Sequence, residues 1–264
     1  MITRPASFVG AAALLVTTLA ASFVVAPVAG AADTRCYELR IYHAAPGKLD
    51  ELHQRFRNHT LALLEKHKVE SIGYWVPLLN QEDTRLFFLL RYPSREAREA
   101  SWKTFMDDPA WQAAYKASEA NGPLVQKVEN YFLAATDYSP AVETGVAKDR
   151  RVFELRDYTA SPGNLGRLNA RFRDHTLALF EKHGIRNYGY WTPMAGEAGA
   201  DNRLLYLVWH ANTEAAKASF GAFGQDPGWK AARENSEKAA GGSLTVPNGV
   251  KSTFLVATDY SPTR

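Results

Sequence analysis

Tyr37-Glu-Leu-Arg-Ile-Tyr42 returns as Phe153-Glu-Leu-Arg-Asp-Tyr158, and that recurrence decides how the whole chain is read. Outward from it, Pro46-Gly47 returns as Pro162-Gly163. Arg55-Phe-Arg-Asn-His-Thr-Leu-Ala-Leu63 returns as Arg171-Phe-Arg-Asp-His-Thr-Leu-Ala-Leu179, and Gly73-Tyr-Trp-Val-Pro77 as Gly189-Tyr-Trp-Thr-Pro193. The offset stays at 116 residues, and 24 of the 41 positions between Tyr37 and Pro77 are identical in the second copy, too many for chance. The ends match as well, Leu133-Ala-Ala-Thr-Asp-Tyr-Ser-Pro140 with Leu255-Val-Ala-Thr-Asp-Tyr-Ser-Pro262. A period above a hundred residues is too long for a solenoid repeat, so each copy is a domain-sized unit. The units are residues 32–140 and 151–264, with 141–150 as the linker.

Each unit reads strand, helix, strand, strand, helix, strand. Residues 36–42 alternate, with Tyr37, Leu39 and Ile41 on one face and Glu38, Arg40 and Tyr42 on the other. Pro46-Gly47 turns the chain into a helix of about twenty residues whose Leu49, Leu52, Phe56, Thr60, Leu63 and Leu64 share one face. Strands follow at 71–79 and 86–92, joined by the polar hairpin loop from Asn80. Ser94 caps a second helix, which Asp107-Asp-Pro109 interrupts, and a last strand spans 127–136. The βαββαβ order is ferredoxin-like, one sheet with both helices on one face. The other face would still carry Tyr42, Phe132 and either Tyr74 or Trp75, an apolar area that needs cover. Two such sheets packed together provide it. The expected fold is therefore α+β, two ferredoxin-like βαββαβ units forming a pseudo-dimeric α/β barrel within one chain, with further homo-oligomerisation left open.

Residues 1–31 read as a signal peptide: Arg4, an apolar stretch from Phe8 to Val25, and Ala29-Gly30-Ala31 as a small-x-small cleavage site. A membrane anchor is the alternative, since 10–29 is nearly long enough to span a bilayer. Its Ala, Thr and Gly content favours cleavage, which predicts an exported protein, periplasmic or extracellular, whose mature form does not span the membrane. Cys36 is the only cysteine, so no internal disulfide can form. A formal charge of +3 with acidic and basic residues interspersed leaves no footprint for nucleic acid.

Taken together, the Tyr-Glu-Leu-Arg-x-Tyr strand with its Pro-Gly, the Gly-Tyr-Trp strand, the Asp-Pro-x-Trp helix break and the closing Thr-Asp-Tyr-Ser-Pro resemble the NIPSNAP domain, twice in tandem. The resemblance implies the dimeric α+β barrel superfamily, which also holds antibiotic-biosynthesis monooxygenases, EthD-like proteins and chlorite-dismutase-like haem proteins. One departure between the copies matters: Arg91-Tyr92 stands opposite Trp209-His210, so the two half-sites are not chemically equivalent.

Glu38 and Arg40, with Glu154 and Arg156, are the sharpest candidates. Period two, with the apolar face on the helices, sends them into the barrel interior, where charges are costly unless paired or bound to a ligand. They are either self-neutralising pairs that fix register or the polar floor of a pocket, with Tyr42, Tyr74, Tyr158 and Tyr190 around the ligand. His59 and His175 are weak candidates for a general base or haem ligand, and more often such helix residues are merely part-buried. His67 and His183 close their helices, where a cation is favourable. Asp137-Tyr138 and Asp259-Tyr260 read as turn formers before proline rather than catalysts. No zinc spacing, nucleophile elbow, phosphate loop or dinucleotide fingerprint occurs in the sequence, and no cofactor is expected. Two functions follow: an exported protein holding a small apolar or amphipathic molecule in its barrel, or, by analogy of fold, a cofactor-independent monooxygenase or isomerase.

Overall fold

The computed structural model describes residues 1–2, 33–80, 82–147 and 150–264. The leader reading for 1–31 therefore lies outside the described residues. The first unit contains β1 (Cys36–Ala44), α1 (Leu49–Arg55), a π-helical turn (Phe56–Thr60), α2 (Leu61–Lys66), β2 (Glu70–Pro77), β3 (Arg85–Tyr92), α3 (Arg95–Met106), α4 (Pro109–Ser118) and β4 (Val125–Ala135). The second repeats the order as β5 (Val152–Ala160), α5 (Leu165–Arg171), a π-helical turn (Phe172–Thr176), α6 (Leu177–Lys182), β6 (Arg186–Pro193), β7 (Arg203–His210), α7 (Thr213–Gln225), α8 (Pro227–Ala240) and β8 (Thr245–Ala257).

Within each unit the first strand is central, β1 between β3 and β4 and β5 between β7 and β8, all antiparallel. The two sheets then close on each other, in the order β1-β3-β2-β8-β5-β7-β6-β4. The seams pair each unit's last strand with the other's second strand, Val76 with Val256 and Ala134 with Thr192. A closed barrel leaves no sheet edge unpaired.

The direction of the strand faces is the reverse of the sequence expectation. One buried cluster draws Leu39, Trp75, Leu89, Leu133, Phe153, Trp191, Leu207 and Leu255 from all eight strands and holds no helical residue, so this is the barrel interior. Tyr37, Leu39 and Ile41 point into it, while Glu38, Arg40 and Tyr42 lie under the helices. The interior is walled by strands alone and can bring only strand residues against a charge. The helix layer supplies Arg98 and Trp102 and stays open to water at its edges, so the polar face belongs there. Tyr74 and Tyr190 likewise face the helices, and their neighbours Trp75 and Trp191 fill the barrel.

Gly73 explains how that tryptophan fits. A Cβ there would sit 2.3 Å from the Trp75 ring, and one at Gly189 2.4 Å from the Trp191 ring, so only glycine admits the indole folded back over the strand. The cavity remaining inside is about 20 Å³, all apolar. That is room for about one water molecule. The middle of the barrel is filled by side chains and holds no space for the ligand expected there, while the interior opens at one end into about 210 Å³ bounded by Leu39, Ile41, Phe87 and Leu205.

Capping positions the helices over the sheets. Ser94 Oγ accepts from Ala97 N at 3.1 Å, and Asn212 Oδ1 from Ala215 N at 2.7 Å. Asp108 caps α4 through Ala110 N (2.8 Å) and also receives Lys66 Nζ and His67 Nε2, both at 2.7 Å. Those bonds from Lys66 and His67 hold its carboxyl far below the usual carboxylate range. Asp226, Lys182 and His183 repeat the arrangement. His67 and His183 thus tie one helix end to the next helix start. The closing Thr-Asp-Tyr-Ser-Pro segments do more than turn. Each reaches onto the opposite unit, with Asp259 bonded to Arg57 and Asp137 to Arg173. Tyr260 packs on Phe56 and Tyr74, and Tyr138 on Tyr190.

Candidate functional site

The open space in each unit lies between the sheet's outer face and its helices. In the first unit this cleft has a volume of about 320 Å³. Arg40, Tyr42 and Phe88 form its floor, and Trp102, Trp111 and Tyr115 are among its walls. At its mouth Met106 (46% exposed), Tyr115 (47%) and Val128 (46%), large exposed apolar side chains, stand beside the exposed Gln126 and Lys127.

Arg40 is fixed from three sides. Its Nη1 donates to Glu38 Oε1 at 2.6 Å and its Nη2 to Tyr42 Oη at 3.2 Å, while its guanidinium lies 4.3 Å from the Trp102 ring centre. Glu38 has no exposed surface. It accepts from Arg98 twice, at 2.7 and 2.9 Å, and from Tyr92 Oη at 2.9 Å. Burial on its own would raise the Glu38 carboxyl, but the bonds from Arg98 and the charge of Arg40 outweigh it and hold the group below its ordinary value. Burial first, then the Glu38 charge, pushes the Tyr92 phenol well up.

The π-helical turn brings a second arginine in. Thr60 Oγ1 donates to Arg55 O at 3.2 Å across the widened turn, and Arg55 and Phe56 are both buried. Arg55 Nη1 bonds Glu119 at 2.7 Å, and its guanidinium lies 5.6 and 5.3 Å from the Trp111 and Tyr115 ring centres. The Nε atoms of Arg40 and Arg55 are both buried without a partner, and so are those of Arg156 and Arg171 in the second unit. Each cleft is therefore lined by two guanidinium groups with unused hydrogen-bonding capacity.

The second cleft, about 270 Å³, repeats the plan with other chemistry. Arg156 bonds Glu154 at 2.6 Å and Tyr158 Oη at 3.0 Å beneath Phe220. Glu154 receives His210 Nε2 at 3.2 Å and Ser252 Oγ, where Glu38 has Tyr92 and Arg98. Burial again favours a raised Glu154 carboxyl, but His210, Arg156 and Ser252 lower it on balance. The inequivalence read from Tyr92 and His210 thus falls at the base of the two clefts.

The sequence candidates divide. Glu38, Arg40 and Tyr42, with Glu154, Arg156 and Tyr158, come together as charged pairs with their tyrosines, outside the barrel rather than within it. Tyr74 and Tyr190 do not line a cleft: they are fully buried beneath the helices, hydrogen-bonded to Ser71 and Asn187. His59 and His175 are exposed on the helix surface, and neither lines a helix–sheet cleft, which removes them as candidates for catalysis there. Arg98, Arg55, Trp102 and Trp111 were missed. The signal was present: Arg98, Trp102 and Phe105 follow i, i+4, i+7 spacing, an arginine set into the apolar stripe of a helix. A vestibule of about 210 Å³ opens at the barrel end near Arg85 and Arg203, and these two arginines are paired, with Asp83 and Asp157.

Among the described residues, no helix is long and apolar enough to cross a membrane, and no group of His, Cys, Asp and Glu is placed to hold a metal ion.

Solved structures of similar fold include a candidate monooxygenase from Fusobacterium nucleatum, with a TM-score of 0.55, 10% identity, and coverage of 85% of this chain and 92% of that one. An anthrone oxidase-like protein gives a TM-score of 0.55, 11% identity, and coverage of 88% and 95%. Both share the barrel fold, at identities that speak to fold alone. The NipSnap homolog 3A of Homo sapiens is 24% identical over 230 residues, 86% of this chain and 85% of the relative. The NIPSNAP family profile matches residues 37–140 and again 153–262, which accounts for both halves of the barrel, and the chain belongs to that family.

Proposed function

We propose that this protein binds a small, flat amphipathic molecule in the first helix–sheet cleft. The observation that carries the reading is the cleft itself: about 320 Å³, walled by Trp102, Trp111 and Tyr115 above a fixed guanidinium. Apolar walls with a few placed polar groups are what a small-molecule site requires. Arg40 is held by Glu38 and Tyr42 before any ligand arrives, so little ordering is needed on binding.

Catalysis without a cofactor, by analogy with the oxygenase-like proteins that share the fold, is the alternative. It calls for a general base facing open space. Among the described residues no histidine lines either cleft, the carboxylates that do, Glu119 and Glu237, are paired with Arg55 and Arg233, and His210 is 1% exposed, one layer beneath Phe220. Binding is the better-supported reading. We propose, from the leader read at residues 1–31, that this binding takes place outside the cytoplasm, and an N-terminus at Ala32 in the exported fraction is the expected check.

N-phenyl-1-naphthylamine, a neutral aromatic amine that fluoresces in apolar surroundings, tests the cleft. Saturable binding to the wild type is expected, with a loss of about tenfold in Trp102→Ala from the removed ring contact. Unchanged affinity in Trp102→Ala, in a variant that melts as a folded protein, would place the binding elsewhere.

A further inference from the structure

Arg55 and Arg171 occupy equivalent places before the two π-helical turns, yet only one has a close counter-charge. Arg55 meets Glu119 at 2.7 Å and Ser118 Oγ at 3.2 Å. Arg171 lies 3.7 Å from the nearest oxygen of Glu237, and its hydrogen bond to Ser236 Oγ is 3.4 Å long. The cause is a neighbour: Arg233 Nε takes Glu237 at 3.2 and 3.3 Å, whereas the first unit has Tyr115 at that position and leaves Glu119 to Arg55.

Arg171 is only 8% exposed, and its Nε is without a partner. Its outer side borders a surface groove containing Asp174 and His175, with no ion pair to either among the described residues. A buried cation without a close counter-ion is costly and invites an anion. Burial accordingly pushes the Arg171 guanidinium below its ordinary value. Beside Arg171 the strand entry is more polar, since Pro123 and Val125 of the first cleft become Ser243 and Thr245 in the second, whereas the first cleft carries its extra cation, Lys127, on β4.

We propose that the second cleft is an anion site, taking a small aromatic or acyl molecule through a monoanionic head group, a carboxylate or sulfonate, seated on Arg171. The first cleft, where Glu119 already occupies the equivalent arginine, takes a neutral ligand. This rests on the clefts being ligand sites, and two probes separate the claims. 1-Anilinonaphthalene-8-sulfonate has the aromatic frame of N-phenyl-1-naphthylamine plus one sulfonate.

Arg171→Met should weaken binding of the sulfonate probe about tenfold and change the neutral probe by less than about twofold. Glu237→Gln, which removes the distant carboxylate, should strengthen sulfonate binding several-fold. That second variant decides the matter if Arg171→Met fails to fold. No gain in Glu237→Gln, or an unchanged sulfonate affinity in Arg171→Met, would overturn the anion site while leaving the first-cleft reading intact; equal losses of both probes in Arg171→Met would overturn the anion site and remove the neutral probe from the first cleft. Failure of both probes on the wild type would overturn both.

Discussion

Glu38 and Glu154 occupy equivalent positions on the central strand of each unit, and each anchors the arginine two residues on. Around Glu38 stand two permanent cations, Arg40 and Arg98, and a phenol. Around Glu154 stand one permanent cation, an imidazole and a hydroxyl. The backbone plan is the same and the charge balance is not. Ala216, fully buried, takes the place of Arg98 on the equivalent helix, so the second network lost a cation and gained a titratable group. Duplication preserved the scaffold that holds each carboxylate and let its partners drift. The difference extends to the mouths of the clefts, where Tyr115 of the first unit is replaced by Arg233 in the second.

The largest consequence is for stability. Glu38→Gln strands two buried guanidinium groups side by side and should cost about 3–5 kcal/mol. Glu154→Gln strands one, and should cost about 1.5–3 kcal/mol, the range for a lost charged hydrogen bond. Urea denaturation of the two variants checks the order, and equal losses would erase the distinction between the networks.

Acid should resolve the same contrast more gently. Both carboxyls are held below their unfolded value of about 4.3. The stability they contribute is complete above that unfolded value and drains away as pH falls through the folded ones. Denaturation midpoints measured from pH 6 downward should therefore fall below about pH 4 in the wild type, and less steeply in Glu38→Gln. A Glu38→Gln profile parallel to the wild type would show that this carboxyl does not titrate against folding.

Smaller still is the exchange of a mouth residue. Tyr115→Arg gives the first cleft the residue found in the second, and should weaken N-phenyl-1-naphthylamine by about two- to threefold through lost apolar contact. An unchanged affinity in the fluorescence titration would remove the mouth from the account of specificity.

Much of this could be read from residues alone. The repeat, the element order and the closed barrel follow from Tyr37-Glu-Leu-Arg-Ile-Tyr42 and its second copy, because an apolar alternation repeated in two units needs mutual cover. Which face turns inward does not follow. Every residue of β1 from Cys36 to Ile41 is buried, so alternation separates the faces without ranking them. The deciding partner, Arg98, lies sixty residues further on in another element. The pairing of Glu38 with Arg40 was legible at two-residue spacing; the cleft above it was not, since its walls come from α1 to α4 and the π-helical turn, whose approach only the fold sets.

The proposed ligand position is between the helices and the outer face of the sheet, over a barrel whose middle is filled by side chains. A crystal structure of the protein with N-phenyl-1-naphthylamine tests it most directly. The aromatic rings should lie between Trp102 and Trp111, above Arg40, with Trp75 and Trp191 still filling the barrel core. Rings found inside the barrel between Trp75 and Trp191, or in the vestibule beside Arg85 and Arg203, would contradict it.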